Sequence, residues 1–323
     1  MPQTHHLQPT RYHFTFGPAE PALRVQNGDT VIAPTRDSRG FDADGQPLAR
    51  EAIANQGDEG YDYWPRNPLV GPVYVEGAEP GDILAVHIER VELTRDWGFS
   101  ARNVNFGSLT GEYVGHRLLL NPPLEAARLD WQIDRQRMKG VYPMPNSRLS
   151  RAEIDLHPFI GSIGVAPRFG RVETALAPGE FGGNMDCPET CAGTTLLFPV
   201  WTRGAYLYFG DVHAAQGDGE LCGTAIEMAA EVQLRLEIRP GPCGDWPRAE
   251  DATHLMAIGS TRPLMDSVRL AQVELMNWLV RDYGFDFWEV WQLNSQVGTM
   301  RIGNVVDPYY SVVAKFPKRF LPG

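Results

Sequence analysis

Side chains able to do chemistry crowd into residues 182–227 of this chain. The stretch opens with Gly182-Gly183-Asn184-Met185-Asp186. It continues over residues 210–220 as Gly-Asp-Val-His-Ala-Ala-Gln-Gly-Asp-Gly-Glu. Asp211 and His213 are two residues apart, so on an extended backbone their side chains share a face. Gly217 and Gly219 allow a turn with unusual dihedrals, which can bring Asp218 or Glu220 back toward His213. An imidazole among carboxylates is the ligand set of a hydrolytic zinc or a related divalent ion. Such an ion lowers the pKa of its bound water toward ~7, and a further carboxylate can then take the proton. The plainer reading is a polar hairpin, since Asp and Gly favour turns for conformational reasons alone. The crowding of ionisable groups from Asp211 to Glu220 exceeds what turn geometry asks for.

Other chemistries have weaker anchors. The chain holds no G-x-S-x-G elbow, no P-loop and no H-E-x-x-H pair. Cys187, next to Asp186, offers a thiol nucleophile, with a small buried residue as the plainer account. Cys187 and Cys191 are spaced C-x3-C without a second such pair, which is a poor zinc signal. His5-His6 reads as a solvated pair, and His87 and His157 as structural. Asp37, in an earlier polar loop, is a candidate carboxylate for a site assembled from distant segments.

These groups need a scaffold, and its grammar is that of short strands. Residues 12–16 alternate. Leu23 and Val25 lead through Asn27-Gly28-Asp29 into the β-branched run at residues 30–33. The pattern returns as Pro72-Val73-Tyr74-Val75, then Pro80-Gly81-Asp82, then residues 83–88, which suggests stacked strands of one sandwich. Residues 34–66 form a long polar loop whose Tyr61, Tyr63 and Trp64 need something to pack on. Residues 95–150 are poorly informative, and residues 158–167 read as a buried turn or edge. Strands are expected at residues 196–200, 205–209 and 226–238, with a helical alternative at 225–231. One long helix starts after Pro263, with Leu264, Val268, Ala271, Leu275 and Trp278 on one face, and ends at Gly284. Residues 285–290 continue as helix or extended chain, and residues 312–316 close with a strand. Trp278, Trp288 and Trp291 belong to the core or to a subunit interface.

The fold class that follows is mainly β, sandwich-like, with a smaller α/β part and one long C-terminal helix. Residues 1–170 form the β-rich N-terminal part. Residues 171–323 carry the acidic/His motif and the helix, packed with the first part as one body. The 323 residues (36.0 kDa) are ordinary globular material, 43% apolar and 21% charged. Thirty-three glycines and 26 prolines argue against a helical bundle. A net charge of −11 disfavours nucleic acid and anionic membranes as partners. No stretch approaches the ~18 consecutive apolar residues of a membrane helix. Residues 1–12 show no signal-peptide core. Four cysteines are too few for a disulfide scaffold, so reduced thiols and a cytoplasmic location are expected.

Residues 182–186, then Ala192-Gly193-Thr194-Thr195-Leu196, then residues 210–220 leading into Cys222-Gly223-Thr224-Ala225-Ile226-Glu227, together resemble the acetamidase/formamidase family. Residues 21–31, 71–82 and 161–167 are similar to earlier elements of that family, and the likeness runs with gaps from about residue 10 to residue 240. The resemblance implies a mainly β fold and hydrolysis of a short carboxamide to carboxylate and ammonia. It also implies a divalent metal and a homo-oligomer, dimer or higher. Its matching polar positions are Asn184, Asp186, Asp211, His213, Asp218 and Glu220. The expected assignment makes Asp186, His213 and Asp211 metal ligands, Glu220 a further ligand or the base, and Asp218 and Asp37 second choices. Asn184 or the backbone at Gly182-Gly183 would hold the oxyanion. Zinc is the expected ion, with calcium as the alternative. Residues 36–64 depart from the family pattern and put the substrate in question: acetamide, formamide, a larger amide or a lactam. The rival from another class is a non-catalytic sandwich binding calcium or a small polar ligand.

Overall fold

A computed structural model describes residues 1–54, 66–103, 106–109, 126–242 and 244–322. Tyr61, Tyr63, Trp64 and Cys243 lie outside the described residues.

The two runs fed by Gly-Asp turns become neighbours of one strand. Thr30–Pro34 and Ile83–Leu93 both pair antiparallel with Ala230–Arg239, on its opposite edges. In Ala230–Arg239, Val232, Leu234 and Leu236 are buried while Glu231, Gln233 and Arg235 are half-buried, the alternation of a strand with one apolar face. Residues 225–231 are therefore not helical: Glu227–Met228 and Ala230–Arg239 are both strands.

Among the described residues these strands belong to a nine-stranded sheet. Its order is Thr4–His6, Thr30–Pro34, Ala230–Arg239, Ile83–Leu93, Thr195–Pro199, Arg248–Glu250, His254–Thr261, Tyr310–Pro317 and Thr299–Asn304. A second sheet runs from Ser150–Asp155 through Lys139–Met144, Ala127–Asp134, Trp97–Arg102, Glu227–Met228, Leu207–His213 and Phe159–Gly164 to Gly182–Asn184 and Pro178–Gly179. Leu69–Val75 also pairs with Leu207–His213, and Leu23–Val25 lies parallel to Leu69–Val75. Each sheet takes strands from both sides of residue 170.

The sheets face each other across one core. Leu84, Val86, Leu234 and Leu236 from the first meet Val70, Ile160, Leu207 and Phe209 from the second. The intervening residues of the first sheet point the other way. Ala85, Leu197, Leu255, Ala257, Val312, Ala314 and Phe316 form a second core with Ala271, Leu275, Leu279 and Val290 of two helices. The molecule is thus a sandwich with a helical layer on one outer face.

The long helix spans Leu264–Tyr283 and closes on Gly284 in the left-handed conformation, as its spacing predicts. A shorter helix, Phe287–Val297, follows, with the Asp286 carboxylate accepting from the N–H groups of Trp288 and Glu289. Trp278 is buried in the helical core, whereas Trp288 and Trp291 are exposed. No helix of the described residues is long and apolar enough to cross a membrane.

Candidate metal centre

The fully buried strand Leu207–His213 lies near the middle of the second sheet and ends in the chemistry. Asp211 and His213 do converge, with Oδ2 of Asp211 3.5 Å from Nε2 of His213. The backbone between them is not extended, because Asp211 has φ +55°. On the neighbouring strand Glu227 is the cross-strand partner of His213, and its Oε2 lies 3.7 Å from the same nitrogen. Asp186 follows the strand Gly182–Asn184, which reaches Phe159–Gly164 on the other side, and brings Oδ1 to 4.0 Å. The turn expected after His213 does form, and it returns Glu220 rather than Asp218. Asp186, His213 and Glu220 form one three-ligand group, and Asp211, His213 and Glu227 a second. Within each, the ligand atoms lie within 4.8 Å of one another, and all five residues are buried. His213 belongs to both.

Gly161 is the floor of this centre. A Cβ on it would sit 2.8 Å from Oδ1 of Asp186, the carbonyl of Asp211 and Cε1 of His213.

Around the ligands is a closed amide network. Asn67 donates from Nδ2 to Oδ2 of Asp211 at 2.8 Å and to Oδ1 of Asn184 at 2.9 Å. Asn184 donates from its own Nδ2 to Asp186 and to Asp307, both at 2.8 Å, and its Oδ1 also accepts from the Ser162 hydroxyl. Gln216 fixes the imidazole. Its Nε2 donates to the carbonyls of Asp186 and Gly303, so its Oε1 must accept from Nδ1–H of His213 at 2.9 Å. That tautomer aims the lone pair of Nε2 into the carboxylates, as a metal ligand requires.

Charge makes the case for a cation. Burial, then Glu220 and Asp307, hold the Asp186 carboxyl well above the usual range. Burial likewise raises Glu220, pushes Glu227 up to about 8 and Asp307 up to about 7. Burial alone would lower His213, but Glu227 and Asp211 overcome it and raise the imidazole to about 10. Too much negative charge is enclosed here, and protons take the place a positive ion would fill. Oδ1 of Asp186, Oδ1 of Asp211 and Oε2 of Glu227 are buried without a hydrogen-bond donor, as free ligand positions would be. One nitrogen among carboxylate oxygens suits zinc or a related ion better than calcium, which prefers oxygen alone.

Backbone strain gathers at the same place. Nine non-glycine residues of the described chain have positive φ, and Asn67, Asp186, Asp211 and Glu220 are among them. Such conformations persist where the surroundings over-determine them, characteristically at functional sites.

Several expectations change. The side chain of Asp218 is 60% exposed and pairs with Arg301 at 2.9 Å, outside the cluster. Asp37 is buried but pairs with Arg95 at 2.8 Å and accepts from the N–H groups of Arg39 and Phe41, so it shapes its own loop. Both N–H groups of the Asn184 amide are taken by carboxylates, which leaves none for an oxyanion. Gly182 and Gly183 let strands pass closely, since a Cβ on either would strike a backbone carbonyl, of Ile163 or Ala177 respectively. Cys187 is a packed thiol whose pKa burial raises well above the usual value, the opposite of an activated nucleophile.

Glu227, Asp307, Asn67 and Ser162 were not singled out from sequence. Glu227 ends the matched stretch at residues 222–227 and needed only the strand register to be paired with His213. Asp307 and Asn67 lie 123 and 117 residues from Asn184 and carry no local signal.

The profile of the acetamidase/formamidase family matches residues 3–170 and 170–250. The chain is 28% identical over 235 residues to an acetamidase of Mycolicibacterium smegmatis, covering 56% of this chain and 55% of that protein. It is 29% identical over 216 residues to a formamidase of Methylophilus methylotrophus, covering 52% and 50%. The chain thus spans about half the length of the curated relatives it matches. Among solved structures, an acetamidase from Yersinia enterocolitica superposes with TM-score 0.84 at 36% identity, over 100% of this chain and 94% of that one. An acetamidase from Bacillus halodurans does so with TM-score 0.81 at 27% identity, over 98% of each. With the profile spanning most of the chain, this protein belongs to the acetamidase/formamidase family.

Proposed function

We propose that this protein hydrolyses a small carboxamide to carboxylate and ammonia at a divalent metal, zinc by the chemistry of its donor set. The observation that carries the reading is the convergence of four buried carboxylates, those of Asp186, Asp211, Glu220 and Glu227, around the buried imidazole of His213, in a chain of this family. Asp186, His213 and Glu220 would hold the ion, with Asp211 at its side. The ion, when bound, supplies Lewis acidity and a water acidified toward neutrality.

The protein's own groups do the rest. Gln216 holds Nδ1–H of His213 and so keeps Nε2 free to bind. Asn184 and Asn67 orient Asp186 and Asp211. Glu227, the cross-strand neighbour of His213, gives a proton to the amide nitrogen as the C–N bond breaks. The Ser38 side chain hydrogen-bonds to Glu227 and holds it in place.

The test is ammonia release from acetamide, formamide and a lactam, with and without chelator, alongside metal analysis. Activity that disappears on chelation and returns with zinc supports the reading. His213→Ala should lose both bound metal and turnover while keeping its circular dichroism spectrum. Full turnover by chelated protein or by that variant refutes it.

A further inference from the structure

Beside the candidate metal centre stands a guanidinium that forms no ion pair with the centre's carboxylates. Asp37 closes a turn by accepting at Oδ1 from the N–H groups of Arg39 and Phe41, each at 3.0 Å. That turn sets Ser38 on Glu227 and Arg39 over the ring of Phe99, with its guanidinium 4.8 Å from the centroid. Arg128 lies over the same ring at 4.7 Å. Arg128 is tied to Asp130 at 2.8 Å, but Arg39 makes no ion pair with any described residue. Its Nε is buried without a hydrogen-bond acceptor. Burial, then the charges of Arg66 and Arg128, lower its pKa. Among the described residues Asp37 and Glu227 act on this guanidinium through charge alone, and none forms an ion pair with it. A guanidinium whose Nε is buried without an acceptor gains a hydrogen bond when an anion completes it.

Strand register says how far it stands from the reaction. His213 faces Glu227, and Glu227 faces Phe99, in one row across three strands. Two strand spacings of ~4.8 Å put Phe99 about 10 Å from His213. An amide carbonyl at the metal and an anion on Arg39 would therefore be joined by a few carbons.

We infer that Arg39 selects amides bearing a second, anionic carboxylate a few carbons away: monoamides of short dicarboxylic acids. The inference rests on the amide-hydrolase reading of the metal centre. The distal carboxylate accepts two hydrogen bonds from the planar guanidinium, and Arg66 and Arg128 add longer-range attraction. Water adds to the amide carbon and the C–N bond breaks. The nitrogen leaves with a proton from Glu227 as ammonia, and a dicarboxylate remains.

The test compares kcat/KM for succinamate and butyramide, which differ in a carboxylate against a methyl group, using zinc-loaded protein, Arg39→Met and Arg39→Lys. The expected result is a preference of tenfold or more for succinamate in the parent protein. It should collapse in Arg39→Met through KM and persist in part in Arg39→Lys, which also serves should the methionine variant misfold. A parent protein that prefers butyramide, or a ratio unchanged by both substitutions, overturns the inference. Calorimetric titration with succinate gives a readout free of turnover. If neither amide is hydrolysed, the amide-hydrolase reading fails. Succinate binding that depends on Arg39 then upholds the anion site, and its absence overturns that too.

Discussion

His213 has two ring nitrogens and one is already spent. Gln216 accepts from Nδ1–H because its own amide N–H groups are committed to two backbone carbonyls, so the other nitrogen is left to hold either a proton or a cation. Outer hydrogen bonds of this sort set ligand tautomer and basicity, and losing one costs about 10–100-fold in metal affinity. Gln216→Met should weaken zinc binding by that order, measured by competition with a chelating dye, while Gln216→Glu should restore part of it. The same residues predict how the metal-free protein responds to pH. Glu227 rises from 4.5 to about 8 on folding and His213 from 6.5 to about 10. Both therefore bind their protons more tightly in the folded state, and both contributions shrink as pH rises. That of Glu227 is lost from about 4.5 to about 8, and that of His213 from about 6.5 to about 10. Chelated protein should melt at progressively lower temperature across that range, and zinc should flatten the decline. A melting temperature that climbs with pH in the chelated protein contradicts the charge arrangement described above.

At the scale of elements, the legible part of the site is the part carried on one strand and its following turn. Asp211, His213 and Glu220 stood out from sequence because the chain delivers them together. The choice between Asp218 and Glu220 was not legible. Gly219 at φ +87° and Glu220 at φ +48° decide it, and side-chain type says nothing about which of two acids in a turn will point inward. Glu227 was invisible until Glu227–Met228 was set in register with Leu207–His213, and Asp37 was placed in the right region with the wrong role. Packing between elements also limits what the site tolerates. Gly161→Ala would press a methyl group against Asp186, His213 and a backbone carbonyl that cannot rotate away. We expect roughly 1–3 kcal/mol of lost stability, the usual cost of overpacking, together with loss of tight zinc binding, both readable by denaturant titration and calorimetry.

At the scale of the whole molecule, the mainly β class, the single long helix and the pairing of the two Gly-Asp runs were legible from period-two burial and turn chemistry. The interleaving of early and late strands in both sheets was not, because strand order depends on contacts far apart in sequence. The shared core is the main source of cohesion. Leu234→Ala, in the middle strand of three, should lower unfolding free energy by about 2–5 kcal/mol while leaving zinc stoichiometry at the level of the parent protein. A drop in stoichiometry instead would mean that core packing and the metal centre are coupled directly.

The last strand of the nine-stranded sheet, Thr299–Asn304, has a consequence for how this protein is made. Gly303 holds Gln216, and Asp307 just beyond meets Asn184, so the centre has contributors from Ser38 to Asp307. Synthesis must have passed residue 307 before that pocket can close. A message cut short, or a tail clipped during synthesis, would leave a product with most of its sheets and an incomplete cage for the cation.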